Sequence, residues 1–157
     1  MRAITEQEFD IKYNLYKDMI FNIALNYTHN QDDGEDILQD VFMKYLNSSE
    51  EFKTLENEKY WLIRVTINTS ISFIKSKWKS GVILDNEYIN SVKAEDNSDM
   101  LRMRQIIFSL KDKYKEVIIL YYYQNYNTKE IAEILKISQN SVKKRLERAR
   151  DSIKKEY

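Results

Sequence analysis

The stretch "TKEIAEILKISQNSVKKRLERAR", residues 128–150, contains the signals of two helices separated by a turn. Either Asn127 or Thr128 can cap the first helix, and Glu130 stands three residues after Asn127, as in a capping box. Ser138 is a favourable N-cap for the second helix. This punctuation predicts a helix-turn-helix near the end of the chain.

The second of these helices has an apolar side and a basic side. At about 100° per residue, the apolar side consists of Val142, Leu146, Ala149 and Ile153. Amides and cations at the start of such a helix suit base edges in the major groove, and flanking cations suit phosphates. The predicted DNA-binding residues are Gln139, Asn140, Ser141, Lys143, Lys144, Arg145 and Arg148. The alternative is an amphipathic hairpin whose basic face is only solvated.

The composition favours helices and a reducing compartment. The 157 residues include two Gly, no Pro and no Cys. The Gly and Pro residues that usually form the turns between strands are therefore scarce, and the lack of Cys excludes disulfides and thiolate metal sites. No apolar signal region opens the chain, and no run of about 18 apolar residues is present. We expect an all-helical, cytoplasmic protein without membrane insertion.

Apolar residues recur every three to four positions through most of the chain, which predicts helices. One helix is expected over residues 6–28, a second after the turn signal "HNQDDG" at 29–34, and a third over 59–79. Residues 47–57 are expected to form a loop or a broken helix. The predicted fold is all-α, with two small helical domains joined by a flexible linker and the helix-turn-helix in the second domain. The predicted limits are 1–79, 80–100 for the linker and 101–157.

The charges of the chain are segregated, although 25 basic and 25 acidic residues give a formal net charge of zero. Residues 31–58 carry nine acids and two bases, whereas residues 59–79 carry five bases and no acid. Residues 80–100 are again acidic, and residues 136–150 carry six bases and one acid. Each block alone is compatible with a solvated helix face. The alternation indicates separate surfaces for separate partners, with nucleic acid as the usual partner of a basic surface.

The helix predicted over 59–79 has a continuous polar and basic stripe. Its members follow at intervals of four, four, three and four residues: Arg64, Asn68, Ser72, Lys75 and Lys79. Solvated faces usually mix both signs of charge, and this face has no acid. A basic track with aromatic residues nearby is typical of proteins that bind single-stranded or melting DNA. The loop at 47–57 would then close over an extruded base.

The preceding helix is acidic. In "DDGEDILQDVFMKYL", residues 32–46, Asp33, Asp36 and Asp40 share a helix face. A regular helix seldom encloses a cation without further oxygen ligands from a loop. A docking surface for a basic protein is therefore the preferred interpretation, and a metal site is the alternative.

Three segments in this order resemble the two conserved regions of bacterial extracytoplasmic-function (ECF) sigma factors. They are "EDILQDVFMKYL" (35–46), "YWLIRVTINTSISFIKSKWK" (60–79) and "LKDKYKEVIILYYYQNYNTKEIAEILKISQNSVKKRLERAR" (110–150). The resemblance covers residues 13–79 and 101–155. It implies a transcription initiation factor that has no catalytic activity and no cofactor of its own.

The resemblance also implies partners for each region. Region 2 would bind the β′ clamp of core RNA polymerase through Asp36, Gln39, Asp40 and Phe42. It would capture the −10 promoter element through the 59–79 helix, where Arg64 and Asn68 match the family motif, with a flipped base in the loop at 47–57. Region 4 would dock on the β flap and contact the −35 element through the helix after Ser138. The linker would thread toward the active cleft, and an anti-sigma factor is a further implied partner.

Three residues depart from the family pattern. Ser72 stands where many members carry Asp, and Lys111 stands where Pro is usual. Lys136 stands where Gly is usual between the two helices of the helix-turn-helix. If this position is left-handed, Lys costs roughly 1 kcal/mol there.

Two other functions are the alternatives. One is a helix-turn-helix regulator that binds duplex DNA as a dimer and carries an unrelated N-terminal sensor domain. The other is a metal-dependent enzyme, which has little support because His29 is the only His and is expected to be a surface or capping residue. No nucleophile–base pair and no glycine-rich phosphate loop is visible in the sequence.

Overall fold

The computed structural model describes residues 2–79 and 98–157. The helices in chain order are α1 (Glu6–Thr28), α2 (Gln31–Asn47), α3 (Leu55–Lys79), α4 (Ser98–Phe108), α5 (Asp112–Ile118), the π-helix π1 (Ile119–Tyr123), α6 (Thr128–Leu135) and α7 (Gln139–Glu156). No strand occurs in these two ranges, and the all-α prediction is confirmed. None of their helices has the length and apolarity needed to cross a membrane.

The chain divides into two compact units, Met1–Lys75 and Ser76–Tyr157. The predicted linker at 80–100 falls largely on residues 80–97, which lie outside the described residues. The helix α4, the first of the range 98–157, begins at Ser98, within the predicted linker.

The connection between α1 and α2 is shorter than the predicted turn. α1 ends at Thr28. Its C-cap, His29, is left-handed with φ 50° and ψ 29° and donates its backbone N–H to the carbonyl of Leu25 at 2.8 Å. Asn30 then caps α2, because its side-chain oxygen accepts the backbone N–H of Asp33 at 2.9 Å. The turn therefore consists of His29 and Asn30 alone. His29 is a capping residue, as the sequence indicated.

Gly34 lies inside α2, where the sequence predicted part of a turn. A Cβ built at this position would come within 2.9 Å of the Phe21 ring and 3.3 Å of Leu25. The missing side chain therefore lets the first turn of α2 approach α1 closely. The prediction failed because glycine was interpreted as a turn signal, whereas here it serves close packing.

α3 begins at Leu55, four residues before the predicted start. The hydroxyl of Thr54 accepts the backbone N–H of Asn57 at 3.0 Å and so acts as the N-cap. Apolar residues that recur every three to four positions predicted this helix, and Tyr60, Ile63, Ile67 and Ile74 among them are buried. Leu62, Thr66, Thr69 and Ser70 are buried as well. The buried side of α3 is therefore wider than predicted, and its exposed side is correspondingly narrow.

The first unit has an aromatic-rich core formed by α1, α2 and α3. Its fully packed members are Tyr16, Ile20, Ala24, Ile37, Leu38, Val41, Phe42, Tyr45 and Leu62. The rings of Phe9 and Tyr13 meet Phe42 with centroids 5.7 Å and 4.9 Å away. Rigid rings from α1 therefore fix the position of α2 along its length.

One buried carboxylate ties the three helices together. Glu58 of α3 is 5% exposed. It accepts hydrogen bonds from Lys12 Nζ at 2.8 Å and from the hydroxyls of Tyr16 and Tyr45 at 2.9 Å each. Burial alone would raise the pKa of Glu58, but the hydrogen bonds from Lys12, Tyr16 and Tyr45 outweigh burial and hold it below its usual range. Burial, followed by the hydrogen bond to Glu58, raises the pKa of Tyr45 to about 12.

The second unit contains the predicted helix-turn-helix, α6 and α7. Asn127 caps α6 and forms the full capping box with Glu130. Lys136 ends α6 in the left-handed conformation, with φ 57° and ψ 44°. Ser138 caps α7 and accepts the backbone N–H of Ser141 at 3.1 Å. Val142, Leu146 and Ala149 of α7 are buried, as predicted.

Candidate polymerase and DNA interfaces

The exposed side of α2 is acidic. Asp36, Gln39 and Asp40 are exposed on it, and Met43 adds an apolar side chain that is 55% exposed. Asp40 lies 3.8 Å from Lys44 of the same helix. Lys44 in turn donates a hydrogen bond to the Thr69 hydroxyl of α3 at 2.9 Å, so this lysine is held at the edge of the acidic side.

Two residues predicted for this surface are buried. Phe42 is 4% exposed and packs in the core, where it supports α2 from beneath. Asp33 is 5% exposed, so the carboxylate predicted to share a face with Asp36 and Asp40 is covered at the start of the helix. The expected helix face of Asp33, Asp36 and Asp40 did not reveal the close approach of α1 at the start of α2.

No metal centre is formed by the acids of the described ranges. Within residues 2–79 and 98–157, no three His, Cys, Asp or Glu side chains converge in a way that would hold an ion.

The exposed side of α3 carries the predicted polar stripe. Asn68, Ser72, Lys75 and Lys79 are exposed, and Arg64 is half-buried at the start of the stripe. Partial burial lowers the pKa of Arg64, and the carboxylate of Glu50 opposes this shift. A guanidinium remains charged over the whole physiological range. Arg64 therefore presents a fixed positive charge that is partly shielded from water.

The loop between α2 and α3 is anchored by an aromatic side chain. The ring of Phe52 stacks on Tyr45 with centroids 6.5 Å apart and lies 5.6 Å from the ring of Trp61. The guanidinium of Arg2 lies 4.3 Å from the Tyr45 ring centroid and 5.1 Å from that of Phe52. Arg2 also donates its Nε to the Tyr45 carbonyl at 3.1 Å. The roles of Arg2 and Phe52 were not predicted from sequence, because Arg2 joins this loop from a position more than 40 residues before Tyr45 and Phe52.

The outer side of α7 presents most of the residues predicted for it. Gln139, Asn140, Lys143, Lys144 and Arg148 are exposed. Gln139 donates its side-chain amide to the Thr128 hydroxyl at 2.8 Å, which joins the starts of α6 and α7. Ser141 accepts a hydrogen bond from the Ser138 hydroxyl at 2.9 Å and belongs to the cap. Asn140, Lys143, Lys144 and Arg148 are therefore the side chains that project outward.

Arg145 is held inside the second unit, although it was predicted to flank the DNA-binding face. Its guanidinium lies 3.0 Å from Glu116 of α5, and the two side chains are 27% and 17% exposed. Burial raises the pKa of Glu116, and Arg145 only partly opposes this. The pair therefore fixes α7 against α5. A sequence pattern gave no sign of this partner, which lies 29 residues away.

Two protein-family models match this chain. The model of sigma-70 region 2 matches residues 13–80, and that of sigma-70 region 4 matches residues 100–153. A helix-turn-helix regulator with an unrelated N-terminal domain would not match region 2, so this alternative is not favoured.

Similar proteins of known identity are sigma factors. RNA polymerase sigma factor SigV of Bacillus subtilis (strain 168) is 33% identical over 136 residues, which cover 85% of this chain and 81% of SigV. ECF RNA polymerase sigma factor SigW of the same organism is 30% identical, over 91% of this chain and 85% of SigW.

Two solved structures share the fold. The sigma factor RpoE from Bartonella quintana, in complex with the anti-sigma factor NepR, matches 96% of each chain with a TM-score of 0.70 and 22% identity. CnrH, in complex with the cytosolic domain of CnrY, matches 96% of this chain and 87% of CnrH with a TM-score of 0.65 and 18% identity. Together with the two family models and the similarity to SigV and SigW, this shows that the chain belongs to the ECF sigma factors, which are transcription initiation factors that direct RNA polymerase to specific promoters.

Proposed function

We propose that this sigma factor divides its contacts between two regions. Residues 1–79 bind the β′ clamp of core RNA polymerase and open the −10 element, and residues 101–157 dock on the β flap and contact the −35 element. Residues 80–100 join the two regions. The segregation of exposed charge supports this division. Exposed side chains of α2 are mainly acidic, α3 has no acid from Lys59 onward, and the outer side of α7 is largely basic.

The polymerase-binding surface consists of Asp36, Gln39 and Asp40. Their exposure on one side of α2 supports this assignment. Two carboxylates and an amide suit a basic protein surface, and charge complementarity steers the encounter. Phe42 contributes from beneath, because its burial holds the backbone of α2 in place.

The −10 surface consists of Arg64, Asn68, Ser72, Lys75 and Lys79. Asn68 and Ser72 can both donate and accept hydrogen bonds, which suits the edges of unpaired bases. Lys75 and Lys79 suit phosphates of the same strand. The loop between α2 and α3, residues 48–54, is anchored by Phe52 and accepts the extruded base.

The −35 surface lies on the outer side of α7. Asn140 and Lys144, near the start of the helix, contact base edges in the major groove. Lys143 and Arg148 contact phosphates. Gln139, Ser141 and Arg145 hold the helix in position through the contacts described above.

The remaining roles follow from those of the family. The chain acts without catalysis or cofactor of its own, because the polymerase performs the chemistry, and it acts in the cytoplasm together with the polymerase. Since RpoE of Bartonella quintana is bound by an anti-sigma factor, we expect an anti-sigma factor to cover the polymerase- and DNA-binding surfaces here as well.

The test is transcription in vitro with purified core polymerase and a library of promoters with randomised −35 and −10 elements. The full chain should select one motif at each element. Asn140→Ala or Lys144→Ala should relax the selection at one or two −35 base pairs and cost about 1–3 kcal/mol on the preferred sequence.

Lys143→Ala is the matched control, because it removes one exposed cation from the same helix. It should weaken binding on all −35 sequences alike. If Asn140→Ala and Lys144→Ala leave the selected −35 motif unchanged, α7 does not contact bases as proposed.

A further inference from the structure

A second basic cluster adjoins the outer side of α7. It consists of Lys111 and Lys113 at the start of α5, Tyr114 of α5, and Arg148 of α7. Lys111 and Arg148 line the same groove as Tyr114, and Lys113 Nζ lies 5.1 Å from the centroid of the Tyr114 ring. Lys111, Lys113 and Arg148 are exposed. Three cations from two helices therefore surround one phenol at the surface.

The cluster attracts negative charge at the position of the Tyr114 hydroxyl. Burial opposes ionisation of this phenol, but Lys113, Arg148 and Lys111 together lower the pKa of Tyr114. Arg145 has its charge taken up by Glu116. Within the described ranges, Lys111, Lys113 and Arg148 form no comparable ion pair with a carboxylate. Their charge is therefore available to an external anion.

The acids near this cluster restrict where the anion can sit. A groove of about 660 Å³ runs beside Tyr114, and Asp151 and Glu156 line it together with Lys155. Asp112 follows Lys111 in the chain, at the first position of α5. Lys111, Tyr114 and Arg148 line the same groove, and the pKa of Tyr114 is lowered in the presence of these carboxylates. The favourable position for an anion is therefore the surface around Tyr114, and not the groove as a whole.

The cluster is continuous with the helix that faces DNA. Lys144 and Arg148 are four residues apart on α7 and so lie one turn apart on one side. Beyond Arg148, the cations of α5 extend the same track. A helix in the major groove is flanked by the phosphates of both strands. Cations that extend from α7 onto α5 therefore lie where the sugar–phosphate backbone passes.

We propose that Lys111, Lys113 and Arg148, held around Tyr114, form a phosphate-binding site that clamps the promoter backbone beside the −35 element. The proposal rests on the proposed contact between α7 and the −35 element. The ligand is a backbone phosphate, and the site adds affinity without adding sequence preference. Lys111 thus replaces the usual proline with a charge that contributes to DNA binding.

The experiment measures binding of the assembled holoenzyme to promoter fragments at several salt concentrations. The test variant is Lys111→Gln/Lys113→Gln, and Tyr114→Phe is a second variant that removes only the hydroxyl at the centre of the cluster. Lys154→Gln is the control, because it removes an exposed cation at the far end of α7. Core polymerase binding is measured separately for each variant.

The double variant should reduce the slope of log affinity against log salt by about two, with an unchanged −35 motif, and the control should leave the slope as it is. A neutral methylphosphonate at the contacted phosphate should weaken wild-type binding and leave the double variant unaffected.

An unchanged slope in the double variant, or an equal change in Lys154→Gln, overturns the phosphate site. A loss of core binding with an intact slope also overturns it, in favour of a protein contact. These outcomes leave the proposed function standing, whereas a wild-type chain that selects no promoter would refute the proposed function itself.

Discussion

Lys136 occupies a backbone conformation that glycine adopts more readily. It is the C-cap of α6, with φ 57°, and its backbone N–H is bonded to the carbonyl of Ala132. Its side chain is exposed, so little packing is lost when the side chain is removed. We expect Lys136→Gly to raise the free energy of unfolding by about 0.5–1 kcal/mol, because the left-handed strain is relieved.

Chemical unfolding of the full chain checks this expectation. Lys136→Ala is the matched control, because it removes the same side chain but keeps a Cβ and hence the strain. A glycine variant that is no more stable than the alanine variant would show that the strain at this cap is negligible.

Glu58 makes the stability of the first unit depend on pH. Its folded pKa lies below the ordinary value of 4.5. A carboxyl with a depressed folded pKa stabilises the protein above its unfolded pKa, and this contribution is lost as the pH falls through the folded value. We expect Glu58→Gln to lower the free energy of unfolding by about 1.5–3 kcal/mol at neutral pH, because charged hydrogen bonds are lost.

The same substitution should flatten the loss of stability on acidification below pH about 4.5, since the group that titrates has been removed. Thermal unfolding between neutral and acidic pH measures both effects. Glu51→Gln, at an exposed loop position, is the control and should behave like the wild type. A steep acid decline that persists in Glu58→Gln would assign the pH dependence to another carboxylate.

An ion pair with a neighbouring helix helps to fix the position of α7. Arg145 and Glu116 join α7 to α5 at 3.0 Å, so we expect Arg145→Ala to destabilise the second unit by about 1.5–3 kcal/mol, in the range of a charge-assisted hydrogen bond. DNA binding should weaken because α7 is less well fixed, but the salt dependence should stay the same. Arg148→Ala should do the reverse, flattening the salt slope by about one with little effect on stability.

Binding titrations at several salt concentrations, combined with thermal unfolding, separate these two arginines. The pair of variants controls for net charge, because each removes one guanidinium from the same helix. If Arg145→Ala flattens the salt slope as much as Arg148→Ala does, then Arg145 leaves Glu116 to bind DNA.

The helices themselves were largely predictable, and the reason lies in local signals. Asn127, Ser138 and the periodic apolar residues act within a few positions in sequence, so the starts of α6 and α7 followed from them. The start of α3 was missed because Thr54, a sufficient N-cap, lies within a stretch of mixed polar residues. Gly34 was misassigned because close packing and turns favour the same residue.

The candidate surfaces were predictable only on the exposed side of each helix. Periodicity assigned Asn68, Lys75 and Lys144 to solvent-facing positions, where the structure has them. It did not reveal that Asp33 is covered or that Arg145 faces an acid, because both depend on a neighbouring helix. The cations of α5 were missed for the same reason, since Tyr114 and Arg148 meet only through the packing of α5 against α7.

At the scale of the whole molecule, a net charge of zero conceals surfaces of opposite sign. The acids of α2 and the bases of α3 up to Lys75 belong to one unit, yet they are exposed on different helices. Such an arrangement lets one small domain attract a basic protein surface through one helix and a nucleic acid strand through another.

The acidic side of α2 should therefore control assembly with core polymerase. We expect Asp36→Lys/Asp40→Lys to weaken that association at least about tenfold at low salt, because two attractive contacts with a basic surface become repulsive. The defect should shrink as salt rises, since exposed charges are screened. Both residues are exposed, so the variant should unfold at nearly the wild-type temperature.

The matched control is Asp10→Lys/Asp18→Lys, which makes the same charge change at exposed positions of α1 and should keep its affinity for core polymerase. Co-purification and binding titrations measure the association. Equal losses in the two double variants would mean that net charge, and not the acidic side of α2, governs assembly.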